Sequence, residues 1–272
     1  MKLGVSSFTF PWAIGGVEPE HPVVMSAFEL LEKARALSAD VLQIADNLPI
    51  GHLSKDELIK LKNTADSFAI DLEVGTRGIK SENIERFLEI AQILGSPILR
   101  VVIDSNGHEP GINEICDLLQ PFAPKFNSAN IKLAIENHDR LTCAEFNEII
   151  DRVGSDWVGI CLDTVNSLGA VEAPHTVIPA LAPRAINVHM KDFEIVRTNG
   201  QMGFTVQGTA LGQGRLDVPA VIAAVGGSAR SITSVIELWT PRQESYEATI
   251  ALEEKWATQS VAFLRKSIGL KA

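Results

Sequence analysis

The stretch LAIENHDR, residues 133–140, decides how this sequence is read. It begins as an apolar run and ends in five consecutive polar side chains, Glu136, Asn137, His138, Asp139 and Arg140. Side chains along a strand alternate between faces, so Ala134, Glu136 and His138 leave one face while Leu133, Ile135 and Asn137 leave the other. A carboxylate and an imidazole therefore depart together from the end of a buried strand.

Working outward, the run at 131–135 is one of a series. Short β-branched runs recur at 3–7, 41–44, 70–74, 98–103, 158–162, 185–188 and 234–236. Stretches with helical periodicity separate them, at 23–38, 54–68, 81–94, 142–153 and 218–225 among others. Ser54 with Glu57, Ser81 ahead of Glu82, and Thr142 with Glu145 are the expected helix N-caps. Strand and helix alternating in this way predict an α/β fold with a parallel sheet. In a chain of 272 residues the count fits a single (β/α)8 TIM barrel, one domain over 1–272. Two segments depart from the repeat. A C-terminal helix of roughly 25 residues is expected from Gln243. The segment 192–217 carries Gly200, Gly203, Gly208, Gly212 and Gly214, and is read either as a lid over the site or as a surface excursion or dimer contact.

The composition, 46% hydrophobic and 21% charged, is that of a globular chain with a large core. The start, MKLGVSSFTFPW, has no apolar stretch of signal-peptide or membrane-helix length, so no export is expected. Cys116, Cys143 and Cys161 are far apart and form no C-x-x-C pair, which fits buried free thiols in a cytoplasmic protein. A net charge of −10 argues against nucleic acid and anionic membranes as partners. An anionic small molecule then requires a local cluster of arginine or lysine.

In such a barrel the site lies where strands end at the C-terminal face. Four strand ends match: AIEN places Glu136, GICLD places Asp163, INVH places His189 and SVIE places Glu237. The first two gaps are 27 and 26 residues, one strand-helix unit each, and the third is 48, one unit plus the glycine-rich segment. Three carboxylates and an imidazole at one level form an oxygen-rich set for one divalent metal ion, Mn²⁺ or Mg²⁺ first, with Co²⁺ or Zn²⁺ as alternatives. The other reading is four unrelated polar strand caps.

The motifs AIENHDR, CLDTVNSLG, VHMKDF and IELW together resemble the xylose isomerase-like TIM-barrel superfamily, over almost the whole chain. That superfamily holds sugar isomerases, ketose epimerases, dehydratases and the endonuclease IV type of DNA-repair enzyme. The resemblance implies that Glu136, Asp163, His189 and Glu237 bind one metal, with Glu136 and Glu237 on either side of the substrate. Ketose 3-epimerases resemble D-T-x-H at the sixth strand, where this chain has DTVN with Asn166. With six histidines and an acidic charge, the chain is a poor match to the three-zinc repair nucleases.

Cations near strand ends bear on the substrate. Arg77 follows the third strand, Arg100 lies in the fourth, and Lys191 shares a face with His189. They either hold a substrate carboxylate or phosphate or balance the site carboxylates and Glu73. His138 is read as a substrate contact or acid, or as a hydrogen-bond partner behind the site. Asn166, Trp12 and Trp239 are candidate substrate contacts, and Phe8 and Phe10 complete an expected aromatic wall. The expected function is a sugar isomerase or epimerase working through a metal-stabilised enediolate, with Glu136, Glu237, His138 and Lys191 as catalytic candidates. The alternative is a lyase that decarboxylates an oxo-sugar acid or dehydrates a cyclitol. The segments FTFPWAIG, IADNLP, EVGTRG and IELWTP are similar to the 3-oxo-isoapionate decarboxylases of the same superfamily. A non-catalytic sugar-binding barrel and a repair nuclease are the remote readings. The substrate is expected to be a small sugar or sugar acid, and the long C-terminal helix admits a homo-oligomer.

Overall fold

The computed structural model describes residues 1–272 apart from 22, 23, 199, 201, 227–230, 271 and 272. Eight parallel strands close a barrel: β1 (Lys2–Ser6), β2 (Val41–Ile44), β3 (Asp71–Arg77), β4 (Ile98–Val102), β5 (Lys132–Glu136), β6 (Val158–Asp163), β7 (Ala185–Met190) and, after an inserted hairpin, β10 (Thr233–Ile236). The order around the barrel is β1-β10-β7-β6-β5-β4-β3-β2, so each barrel strand has two neighbours and the barrel sheet has no edge. All eight expected runs are strands, within a few residues at their ends.

Helices cover the outside because the strand-helix units turn their apolar faces inward. Leu58, Leu61 and Ala65 of the helix Lys55–Ser67 are fully buried, and burying each leucine is worth about 1.5–3 kcal/mol. The capping boxes at Ser54 and Thr142 are formed as expected. The third cap differs: Lys80 occupies the cap position in extended conformation and Ser81 is the first helical residue. The expected helix at 23–38 begins in part outside the described residues, and the observed one, Ala27–Ala36, starts at a Ser26–Glu29 capping box. The C-terminal helix runs Tyr246–Ser267, because the Ser245 side chain caps it by accepting from Ala248 N. All three cysteines are buried and unpaired.

The glycine-rich segment contains an antiparallel hairpin, β8 (Asp192–Arg197) with β9 (Phe204–Thr209). The buried Asp192 anchors it, its carboxylate accepting from the N–H groups of Gly212, Gly214 and Leu216 at 2.8, 3.0 and 2.9 Å. Gly208 allows the hairpin to lie on Trp239, since a Cβ there would fall 2.2 Å from the Trp239 carbonyl oxygen.

Candidate active site

The barrel interior is polar towards its C-terminal end. Strand register brings Glu136 level with Cys161, and Asp163 level with His189. A register shift between Ile160 and Cys161 sets that second pairing. Glu136, Asp163, His189 and Glu237 are all essentially inaccessible to solvent.

Each side chain is held. Asn137, just beyond β5, donates to the Asp163 carbonyl and accepts from the Asp163 N–H, at 2.9 and 2.7 Å. Asp163 Oδ1 accepts from the N–H groups of Val165 and Asn166, which leaves Oδ2 facing the interior. Glu136 uses both oxygens: Oε1 accepts from Asn166 Nδ2 at 2.8 Å, and Oε2 accepts from Arg100 Nε. Glu237 Oε1 accepts from Ser6 Oγ at 3.1 Å, and its Oε2 lies 2.9 Å from Lys191 Nζ. Lys191 also lies 2.8 Å from Asp163 Oδ2 and donates to Asn166 Oδ1.

Asp163, His189 and Glu237 each offer a ligand atom within 4.8 Å of the others. His189 Nδ1 lies 3.2 Å from Glu136 Oε2, 3.3 Å from Glu237 Oε1 and 3.9 Å from Asp163 Oδ2. Among the described residues it makes no aligned hydrogen bond, so its ring plane points between the carboxylates rather than at one of them. Ligands of a cation held at about 2.1 Å sit about 3.0 Å apart when adjacent and about 4.2 Å apart when opposite. The donor set and the orphaned nitrogen therefore fit a small divalent ion. Cys161 lies beside Glu136 and His189, but burial pushes its thiol up to about 11, and it donates to Asn187 Oδ1.

The charges are settled by their neighbours. Burial opposes ionisation of Glu136, but the Arg100 guanidinium holds its carboxyl well below the usual range. Asp46, which sequence reading passed over, behaves likewise under Arg100 and Arg77. Burial equally opposes charge on Lys191, yet Asp163, Glu237 and Glu136 raise its pKa and keep it an ammonium. His138 moves the other way, burial lowering its pKa, so it is neutral at neutral pH.

A cavity of about 480 Å³ opens above these residues, lined by Phe8, Arg77, Arg100, Glu136, His138, Asn166, Lys191, Glu237 and Trp239 among others. The structure thus brings together every expected site residue except Trp12. That residue lines an adjoining cavity of about 750 Å³ and donates its indole N–H to the Thr240 carbonyl. Phe10 is a core residue rather than part of the wall. Arg100 is 2% exposed and is engaged by Glu136 and Asp46, at 2.7 Å for the latter, and by the Thr76 carbonyl. Arg77 gives Asp46 its Nε–H at 3.1 Å and faces the cavity half-exposed. Of the two alternatives for the arginines, Arg100 balances site carboxylates and Arg77 faces the space where a ligand fits.

The family model described as xylose isomerase-like TIM barrel matches residues 69–267. This chain belongs to the xylose isomerase-like TIM barrel family. It is 35% identical to the 3-oxo-isoapionate decarboxylase of Pectobacterium atrosepticum over 264 residues, covering 97% of this chain and 95% of that protein. A D-psicose 3-epimerase structure determined in the presence of D-fructose superposes with a TM-score of 0.72 at 16% identity, covering 99% of this chain and all of the other. A xylose isomerase-like TIM barrel protein from Mycobacterium smegmatis in complex with magnesium gives 0.66 at 14%, with 97% of each chain covered. This family setting supports an enzyme, and the two structural likenesses establish the shared fold.

Proposed function

We propose that the chain is a divalent-metal-dependent lyase that removes CO₂ from a small 3-oxo sugar acid. The observation that carries the reading is the engagement of both candidate bases. Glu136 has Asn166 on one oxygen and Arg100 on the other, and Glu237 has Ser6 and Lys191. An isomerase or epimerase needs a base that takes a proton from carbon, and either glutamate would have to give up the charge that holds these contacts in order to do so. Loss of CO₂ from a carboxylate β to a carbonyl needs no base. The relative that shares 35% of its sequence across nearly the whole chain is a 3-oxo-isoapionate decarboxylase, which supports the same choice.

Glu136, Asp163, His189 and Glu237 would hold the ion. When bound, it supplies Lewis acidity that lowers the cost of negative charge on a neighbouring carbonyl oxygen. Arg77 takes the substrate carboxylate at the mouth with N–H groups not given to Asp46. The carbon–carbon bond breaks, CO₂ leaves, and its electron pair stays on the substrate. Lys191 is charged and reaches the cavity, so it delivers a proton to that carbon and regains one from water. Phe8 and Trp239 wall the cavity and keep water from the carbanion.

The test is incubation of Mn²⁺-loaded protein with 3-oxo sugar acids and with neutral ketoses in D₂O. The expected result is CO₂ release with one deuterium in each product molecule. Deuterium uptake into a ketose without CO₂ would overturn the reading in favour of the isomerase or epimerase.

A further inference from the structure

Beneath the four proposed ligands lies a second buried layer that none of the chemistry above uses. It consists of Gln43 on β2, Glu73 on β3 and Asn187 on β7, all on inward-facing positions and all inaccessible or nearly so. Gln43 pairs with Glu73 across neighbouring strands, and Asn187 precedes His189 by one strand period. Glu73 Oε2 accepts from Gln43 Nε2 and from Asn187 Nδ2, both at 2.9 Å. Gln43 Oε1 then faces His189 Nε2 at 2.7 Å.

A side-chain amide has an acceptor at one end and donors at the other, so whatever fixes one end fixes the other. Glu73 Oε2 accepts from both amide nitrogens as the ionised carboxylate, and equally as the carboxylic acid with its proton on Oε1. Two amide nitrogens converge on it, so the carbonyl end of Gln43 must turn to the imidazole. His189 Nε2 must then carry the proton, and Nδ1 is left with a lone pair aimed between Glu136 and Glu237. With the Gln43 amide reversed, an N–H would face Nε2 and the ring proton would move to Nδ1, where it blocks a metal bond. We propose that Glu73 is a positioning residue for the metal centre: through the Gln43 amide it selects the His189 tautomer that presents Nδ1 to the ion. The inference rests on the metal-site reading and adds the residue that sets the donor atom, two hydrogen bonds away from it.

The experiment compares the intact wild-type chain with Glu73→Gln, Gln43→Met and the exchanged pair Gln43→Glu with Glu73→Gln. Mn²⁺ affinity is measured by calorimetry, and the His189 Nε2–H by ¹H–¹⁵N NMR of the Zn²⁺-loaded protein. An amide at 73 lets the Gln43 amide settle in either sense. Glu73→Gln is expected to weaken Mn²⁺ binding roughly 10- to 100-fold, the range for such outer partners, and to weaken or erase the Nε2–H signal. The exchanged pair restores an acceptor at Nε2 and a donor facing it, so most of the affinity and the Nε2–H signal return. A residue that merely fills space predicts no such recovery. Gln43→Met removes the acceptor alone and reads the same contact if Glu73→Gln does not fold. Wild-type affinity and an unchanged Nε2–H in folded Glu73→Gln would overturn the inference while leaving the metal site standing. A wild-type chain that binds no ion would overturn both.

Discussion

Replacing Arg77 by methionine separates a carboxylate-binding site from a neutral-sugar site. Arg77 gives one N–H to Asp46, and its side chain is 36% exposed at the cavity. Its terminal amino groups suit a bidentate grip on a carboxylate. Each charge-assisted hydrogen bond is worth about 1.5–3 kcal/mol, but a half-exposed pair is screened by water. Taking about 2 kcal/mol for the pair, kcat/KM for a 3-oxo sugar acid should fall about 30-fold. Decarboxylation drains negative charge from the carboxylate, so a cation there favours the bound acid more than the transition state. The loss should therefore appear in KM, with kcat unchanged or slightly raised. Asp46 keeps Arg100 at 2.7 Å, so the fold should lose no more than about 1 kcal/mol. The assay is initial-rate CO₂ release across substrate concentration, with Arg77→Lys as the intermediate case. A fall in kcat at constant KM, or no change in kcat/KM, would refute the assignment of Arg77 to the carboxylate.

Three further outcomes are expected. Asp163→Asn keeps an oxygen for the Val165 and Asn166 N–H groups but puts an uncharged NH2 group, which is no ligand, in the place of Oδ2. Mn²⁺ affinity by calorimetry should drop by more than the roughly 10- to 100-fold typical of outer partners, with the helical CD spectrum retained. Glu253 is buried and its carboxyl is pushed up from 4.5 to about 7, burial outweighing the two N–H groups of Trp12 and Ala13 that it accepts. The folded chain holds that proton longer than the unfolded one, so the stability it gives is full below pH 4.5 and lost as pH rises through about 7. The gap is worth about 3 kcal/mol at about 1.4 kcal/mol per pH unit, and urea titrations of Glu253→Gln should lack this fall. Gly208→Ala drives a Cβ to within 2.2 Å of the Trp239 carbonyl. It should cost about 1–3 kcal/mol in thermal melts and raise KM, because Val206 and Trp239 line both cavities.

The eight strands and the convergence of Glu136, Asp163, His189 and Glu237 were legible because each depends on chain order alone. Equal spacing of Glu136, Asp163 and His189 puts one residue per strand at one height, whatever the packing details. The second layer left a signal too, a polar residue at an inward position of VLQI, DLEV and INVH. Its meaning was hidden because the meeting of Gln43 with His189 is set by barrel stagger and by the register shift beside Cys161. The role of Arg100 was hidden for a related reason. An arginine inside a strand reads as a cation near the mouth, but Gly75 opposite it makes the room that lets the side chain lie inward, an added Cβ there coming within 3.1 Å of Arg100 Cδ. Asp46, two residues beyond β2, then completes the pair of arginines from a loop position that no periodicity marks.

That arrangement bears on which chemistry the scaffold performs. For Glu136 to act as a base it must give up its charge, and with it the charge-assisted part of its hydrogen bonds from Arg100 and Asn166. That release costs up to about 1.5–3 kcal/mol for each such bond. Arg100 would then keep Asp46 but lose its buried partner Glu136, and stranding half of such a pair is costlier still. For Glu237 the same holds with Lys191 and Ser6. Loss of CO₂ requires neither release: negative charge grows on a carbonyl oxygen beside the ligand set, and Lys191 is already charged to return the proton. In the proposed decarboxylation the carboxylates would serve as fixed charges that hold an ion, and the Lys191 ammonium would supply the one proton that the product needs.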